Sequence, residues 1–122
     1  MPFSTGTITN TRATGTASST IVLSTRNLNT SAASTITVQI FATVNSTTFY
    51  TAYVDSFVIA ANSYNIRTYV IGGNVAYEVQ VNSSASQVLF SVFGIDEFGN
   101  MVPNQGRTQP ELSFIAALSP II

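Results

Sequence analysis

The chain has 122 residues and a mass of 13.0 kDa, which suits one domain with its own hydrophobic core. Only 7% of its residues are charged, and it contains no Lys, His, Cys or Trp, which excludes imidazole and thiolate catalysis, Schiff bases, disulfides and the usual zinc ligand sets. A net charge of −1 disfavours binding to nucleic-acid phosphates, and no apolar run approaches the roughly 20 residues of a membrane span. We therefore expect no enzymatic activity, no cofactor and no bound metal.

The first 16 residues, MPFSTGTITNTRATGT, predict an extended N-terminal arm. Threonine recurs at alternate positions, which suits an extended backbone, but Phe3 and Ile8 are the only sizeable apolar side chains. The arm also lacks the basic start and apolar centre of a secretory signal peptide. A disordered terminus is the simplest alternative. The predicted organisation is a connector arm, 1–16, followed by a β-domain, 17–122.

Period-two alternation of apolar side chains predicts about eight antiparallel strands in the β-domain, and no segment has convincing helical periodicity. Strands are predicted at Thr35–Val44, Thr48–Ala60 and Gln87–Ile95, around Ile21, and at Glu111–Ser119. Short strands at regular spacing, separated by polar turns, are typical of β-sandwiches. The predicted fold is an all-β jelly-roll sandwich that carries the arm.

The segment Ser63–Val81, SYNIRTYVIGGNVAYEVQV, has the pattern of a β-hairpin. Gly72 and Gly73 can adopt positive φ at little cost, as a tight turn between the two strands requires. In the first half, Tyr64 and the alternate residues after it form an apolar face. A hairpin cannot bury such a face alone, so a second sheet is expected to cover it.

The few carboxylates permit two kinds of site. Glu78 and Glu111 could act as a glycosidase pair, although outward strand positions explain them equally well. Asp96, Glu97 and Asn100 could supply oxygens to Ca²⁺, but this stretch also has the composition of a turn with glycine in the left-handed region. Because each set of carboxylates has an ordinary structural explanation, we predict neither a catalytic pair nor a metal-binding site.

The aromatic residues leave a binding function open. Exposed tyrosines could form a platform that stacks against sugar rings, although aromatic residues in strands more often pack in the core or across strands. The tyrosines concerned are Tyr50, Tyr53, Tyr64, Tyr69 and Tyr77. A carbohydrate-binding module and a viral or phage jelly-roll protein are the alternative functions.

The arm and unprotected sheet edges favour a polymer. Edge strands are normally protected by Lys or Pro, but this chain has no Lys, and its four prolines lie outside the predicted strand centres. A strand that adds head-to-tail to a neighbour does not close on itself and so produces a filament. The arm residues predicted to contact the neighbour are Phe3, Thr5, Thr7, Ile8, Thr9 and Arg12, and the predicted acceptors for Arg12 are Asp96, Glu97 and Glu111.

Two segments carry a resemblance to a known family. TITVQIFATV at Thr35–Val44 and VFGIDEFGNMVPNQGRTQPEL at Val92–Leu112, together with the arm, resemble the endospore appendage subunits of Bacillus-like spore formers. The resemblance implies a jelly-roll subunit of a helical homopolymer on the spore surface (exosporium), with an anchor or tip protein as a further partner. It also implies release by lysis of the mother cell, which needs no signal peptide.

The chain departs from that family in one respect. The best-known members cross-link their connectors through cysteines, and this chain has none. It is therefore similar to a cysteine-free, thin-fibre type whose subunits are held together without covalent bonds.

Overall fold

A computed structural model describes the whole chain, Met1–Ile122, and confirms an all-β sandwich of two antiparallel sheets. The only helical element is one 3-10 turn, Gln109–Glu111. The strands are β1 (Phe3–Ser4), β2 (Ile8–Thr9), β3 (Thr20–Asn27), β4 (Ser34–Thr43), β5 (Tyr50–Ile59), β6 (Tyr64–Val70), β7 (Ala76–Ser83), β8 (Val88–Ile95) and β9 (Ser113–Phe114).

The larger sheet has the strand order β5-β4-β7-β1-β9, with β2 also paired to β7, and the smaller sheet has the order β6-β3-β8. The chain passes from one sheet to the other at every connection from β3 to β8 except β4 to β5. Beside β8, the place of a fourth strand is taken by an irregular segment that bridges to it through Arg107 and Met101. The finer jelly-roll assignment stays a prediction.

The core lies between the sheets and follows the period-two pattern. In β4, Ile36, Val38, Ile40 and Ala42 are all 0% exposed, because alternate side chains of a strand point to the same face. They belong to a cluster of 18 buried apolar residues drawn from both sheets. The strand predicted at Thr35–Val44 is thus confirmed as Ser34–Thr43, although Val44 lies beyond its end and is 61% exposed.

The predicted hairpin at Ser63–Val81 is wrong. β6 pairs with β3 and β7 pairs with β4, so the two strands belong to different sheets. The intervening segment turns a corner: the N–H groups of Ile71 and Gly72 donate to the carbonyl oxygen of Ser19, and Ile71 is buried. Of the two glycines predicted to adopt positive φ, Gly73 does so at +87° and Gly72 does not.

The apolar face of β6 points outward rather than into the core. Tyr64, Ile66 and Val70 are 57%, 55% and 68% exposed. Tyr69, which is buried, and Arg67 lie on the inward side of the strand. Alternation defines two faces of a strand without saying which one is covered. β6 is the edge strand of the smaller sheet, where polar side chains close the rim of the sandwich.

The strand predicted at Glu111–Ser119 is shortened to β9. Beyond it, Ile115–Ile122 crosses the outer face of the larger sheet. The N–H of Ser119 donates to Gln80 Oε1 at 2.8 Å, and the N–H of Ile122 donates to Thr51 Oγ1 at 2.9 Å. This tail covers outward-facing positions such as Gln80, which is 3% exposed.

Candidate functional site: the arm and its docking strand

The arm lies against its own subunit. β1 pairs with β7 and with β9, and β2 pairs with β7, in the registers Ser4↔Gln80 and Thr9↔Ala76. Backbone hydrogen bonds continue the ladder, with the N–H of Asn10 donating to the carbonyl oxygen of Val75 at 2.7 Å. The first 16 residues are therefore part of the sandwich in this structure, not an extension free of it.

The two apolar residues of the arm hold it in place. Ile8 is 2% exposed and belongs to the core cluster. Phe3 is half-buried and packs edge-on against Phe114, with ring centroids 6.0 Å apart. Burying one such side chain stabilises by about 1.5–3 kcal/mol, so Ile8 is the main apolar anchor of the arm.

The threonines of the arm contribute unequally. The N–H of Val79 donates to Thr5 Oγ1 at 3.0 Å, which links the arm side chain to the β7 backbone. Thr7 and Thr9 are exposed. Of the three, Thr5 is the one with a side-chain role in docking.

A buried polar network fixes the base of the arm. Asn10 and Ser18 are both 0% exposed, and Asn10 Oδ1 accepts from the N–H of Ser18 at 2.7 Å and from Gln105 Nε2 at 2.8 Å. Gln105 Oε1 accepts in turn from the hydroxyls of Tyr77, at 2.8 Å, and Ser18. Burial raises the pKa of the Tyr77 hydroxyl, which stays a donor.

Gly94 makes room for this network. A Cβ on Gly94 would lie 2.1 Å from Ser18 Oγ and 2.2 Å from Gln105 Oε1, closer than real contacts allow. Sequence patterns do not reveal this network, because Gln105 and Tyr77 are far from Asn10 and Ser18 in the chain and the polar members have the residue types of ordinary loops.

An exposed loop, Thr11–Thr16, joins the arm to the rest of the chain. An isolated antiparallel bridge between Thr11 and Thr16 joins the two ends of this loop, and Gly15 within it has a φ of +69°. Arg12 in this loop forms an ion pair with Glu97, 2.8 Å from Nη1 to Oε1. The hydrogen bond lowers the pKa of Glu97 and raises that of Arg12.

The predicted acceptors of Arg12 are thus divided. Glu97 forms an ion pair with Arg12, but within the same chain and not in a neighbouring subunit. Asp96 Oδ1 accepts from the N–H groups of Phe98 and Asn100, both at 2.9 Å, inside its own turn. Glu111 accepts from the N–H of Thr108 at 2.9 Å, and this bond lowers the pKa of Glu111.

The other carboxylate and tyrosine candidates are dispersed. Glu78 accepts from Ser4 and Gln80, and it shares no partner with Glu111. The structure contains no group of three or more side chains with metal-ligand chemistry. Among the tyrosines, Tyr77 lies in the core, while the exposed Tyr50 and Tyr64 belong to different sheets, so the five do not form one platform.

Two strand edges on one side of the sandwich carry no further strand. They belong to β5 and β6, neither of which contains Lys or Pro. Between them the rim is closed by side chains: Tyr69 donates to Asp55 Oδ2 at 2.9 Å, and Arg67 lies 3.4 Å from the same oxygen and 4.2 Å above the ring of Phe57. Burial raises the pKa of Tyr69.

No protein-family model, curated protein or solved structure matches this chain. The fold contains no helix with the length and hydropathy that crossing a membrane requires.

Proposed function

We propose that this chain is the structural subunit of a non-covalent homopolymer, a filament of the spore-surface appendage kind that its sequence resembles. Subunits are joined head-to-tail by exchange of the arm: β1 and β2 of one copy occupy the β7 edge of the next. The observation that supports this most directly is the way the arm docks, as a separate segment on β7, joined to the rest of the chain by an exposed loop.

The free-energy balance of exchange favours this route. Every contact between the arm and β7 can form again between two subunits, so only the loop contacts change. Those contacts are the Thr11–Thr16 bridge, the Arg12–Glu97 pair, and the hydrogen bonds from Arg12 Nε to the carbonyl oxygen of Thr14 and from the N–H of Gly73 to Thr16 Oγ1, all at or near the surface. When the loop opens, its six residues span at most about 20 Å, which sets the distance between neighbouring sandwiches.

The docked arm is strong enough to join subunits only through several contributions together. Burial of Ile8 and Phe3 gives about 3–6 kcal/mol as an upper bound. The backbone ladder to β7 and the network around Asn10 supply the rest. Each subunit gives one arm and receives one, and in the proposed filament it gives its arm to a different copy from the one whose arm it receives, so the assembly grows without closing.

A pair of cysteines distinguishes docking within a subunit from docking between subunits. Thr9 and Ala76 face each other next to the hydrogen-bonded Asn10–Val75 pair, so theirs is the closer, non-hydrogen-bonded type of pairing. The chain has no cysteine of its own, so Thr9→Cys/Ala76→Cys forms the only possible disulfide. Exchange predicts a ladder of covalent oligomers on non-reducing gels, from the same samples that show fibres by negative-stain microscopy.

The matched control is Thr37→Cys/Ser56→Cys, whose positions are partners on β4 and β5 of one continuous hairpin. That pair closes within the chain whether or not arms exchange. Closed monomers only from Thr9→Cys/Ala76→Cys, even in concentrated or fibrous samples, would refute arm exchange. Closed shells in place of fibres would favour a viral structural protein.

A further inference from the structure

The outer faces of the two sheets differ in what covers them. The tail Ile115–Ile122 crosses the larger sheet, whereas no such segment crosses the smaller sheet, whose outer side chains are exposed along β6 and at Leu89 and partly exposed elsewhere, except for the buried Ser24. Four rows of register partners across β6, β3 and β8 form this surface, which we call the bare face. The rows are Val70, Thr20 and Ile95; Thr68, Val22 and Phe93; Ile66, Ser24 and Ser91; and Tyr64, Arg26 and Leu89.

The bare face is apolar and almost uncharged. Arg26 is its only charged residue, and the guanidinium donates to neutral oxygens of Asn27 at 2.7 Å and Asn62 at 2.7 Å. Four of its large apolar side chains are at least 42% exposed: Tyr64, Ile66, Val70 and Leu89. A partner of such a surface must itself be apolar and nearly uncharged.

We propose that the bare face binds the bare face of a second copy, and that this contact associates filaments laterally. The bare face of a second copy has the properties that a partner needs, since it is also apolar and carries a single charge. Face-to-face packing of two such sheets places them about 10 Å apart, as in the interior of a sandwich. The lateral association of filaments rests on the proposed function, but the contact between two single subunits does not.

Arg26 decides the orientation of the two copies. Two identical faces in contact are related by a two-fold axis. If this axis ran along the strands, each row of one copy would face the same row of the other copy, and the two arginines would lie opposite each other. With the axis perpendicular to the strands, the Arg26 row faces the Thr20 row of the partner, and the arginines lie at opposite ends. The second arrangement avoids repulsion between like charges in a desolvated contact, so it is the one we infer.

The size of the face predicts a weak contact between single subunits. Three strands about 4.8 Å apart and seven residues long give roughly 300–400 Å² of flat area for each copy. The total of roughly 600–800 Å² is below the roughly 1,200 Å² of a stable complex. Repetition along a filament makes the contact multivalent, which is how a weak contact produces bundles.

The test uses the full chain with Ile66→Lys, which places a charge on the β6 side of the bare face at a position that is already 55% exposed. The matched control is Val58→Lys, at an outward position of β5 that is 66% exposed on the other sheet. Bundles of wild-type filaments in electron micrographs should separate into single filaments with Ile66→Lys and persist with Val58→Lys. Equal loss of bundles in both variants would overturn the assignment to this face.

A second measurement does not require filaments. In the Thr9→Cys/Ala76→Cys protein closed within its subunit, amide NMR signals of β3, β6 and β8 should shift as the concentration rises from about 50 μM to about 2 mM. Ile66→Lys should abolish these shifts. Shifts confined to β5, or no shifts at all, would refute the contact. This outcome is independent of whether the subunits exchange arms.

Discussion

The guanidinium of Arg12 lies 2.8 Å from the carboxylate of Glu97 in the same chain, and this pair holds the loop between the arm and the sandwich. Both side chains are about 40% exposed, so salt screens the pair and water competes with it. The pair is therefore a releasable contact placed where the arm must open if subunits exchange it. If subunits exchange the arm as proposed, the chemistry of this pair makes the exchange sensitive to pH and ionic strength.

Acid should speed arm exchange. The pKa of Glu97 in the folded chain is below its ordinary value of 4.5, so the contact with Arg12 is present above that value and is lost as the pH falls through the lowered pKa. Energy transfer between subunits labelled with two dyes should report faster mixing at about pH 3 than at pH 7. Glu97→Gln should mix quickly already at pH 7, and a variant with unchanged pH dependence would exclude Glu97 as the titrating group.

Ile8→Ala should weaken the arm more than any other single truncation within it. Ile8 is 2% exposed in the core, and removing such a side chain costs about 2–5 kcal/mol through lost burial and the cavity left behind. Thr7→Ala, at an exposed position of the same arm, should change the free energy of unfolding by less than about 0.5 kcal/mol. Urea denaturation of both variants measures the difference, and similar midpoints would contradict the observed docking.

Gly94→Ala should disturb the network at the base of the arm. The added methyl group would occupy the space of Ser18 Oγ and Gln105 Oε1, and overpacking of this kind costs about 1–3 kcal/mol. Gly106→Ala is the control, since its nearest atom, Phe93 Cβ, is 4.0 Å from the added group. Thermal unfolding should show a lower midpoint for Gly94→Ala alone, with faster hydrogen exchange at Asn10 and Ser18.

A peptide should replace the arm. Deleting residues 1–9 removes β1, β2 and Ile8, which leaves the β7 edge and part of the core open, so we expect a lower unfolding midpoint. Adding the peptide MPFSTGTIT should raise the midpoint in proportion to the logarithm of its concentration. The peptide with Ile8→Ala is the control. If neither peptide had an effect, docking in trans would be too weak to join subunits.

The sequence determined much of the local structure of this protein and narrowed the partners of Arg12 to three carboxylates. Alternation in Thr35–Val44 predicted a strand and the set of side chains that share one of its faces, because neighbouring side chains of an extended backbone point to opposite sides whatever the strand pairs with. The scarcity of charge also left Asp96, Glu97 and Glu111 as the three candidate partners for Arg12, although in a neighbouring subunit, whereas the structure pairs Arg12 with Glu97 of the same chain. These are properties of composition and of residues close together in the chain.

Only the tertiary structure decided which strands pair, which faces are covered and where the arm lies. β6 and β7 separated into different sheets although a glycine turn joins them, and the apolar side of β6 faces outward at the rim. The network of Asn10, Ser18 and Gln105 closes across 95 residues of chain. Pairing energies and burial depend on contacts between distant segments, which the alternation of one segment does not encode.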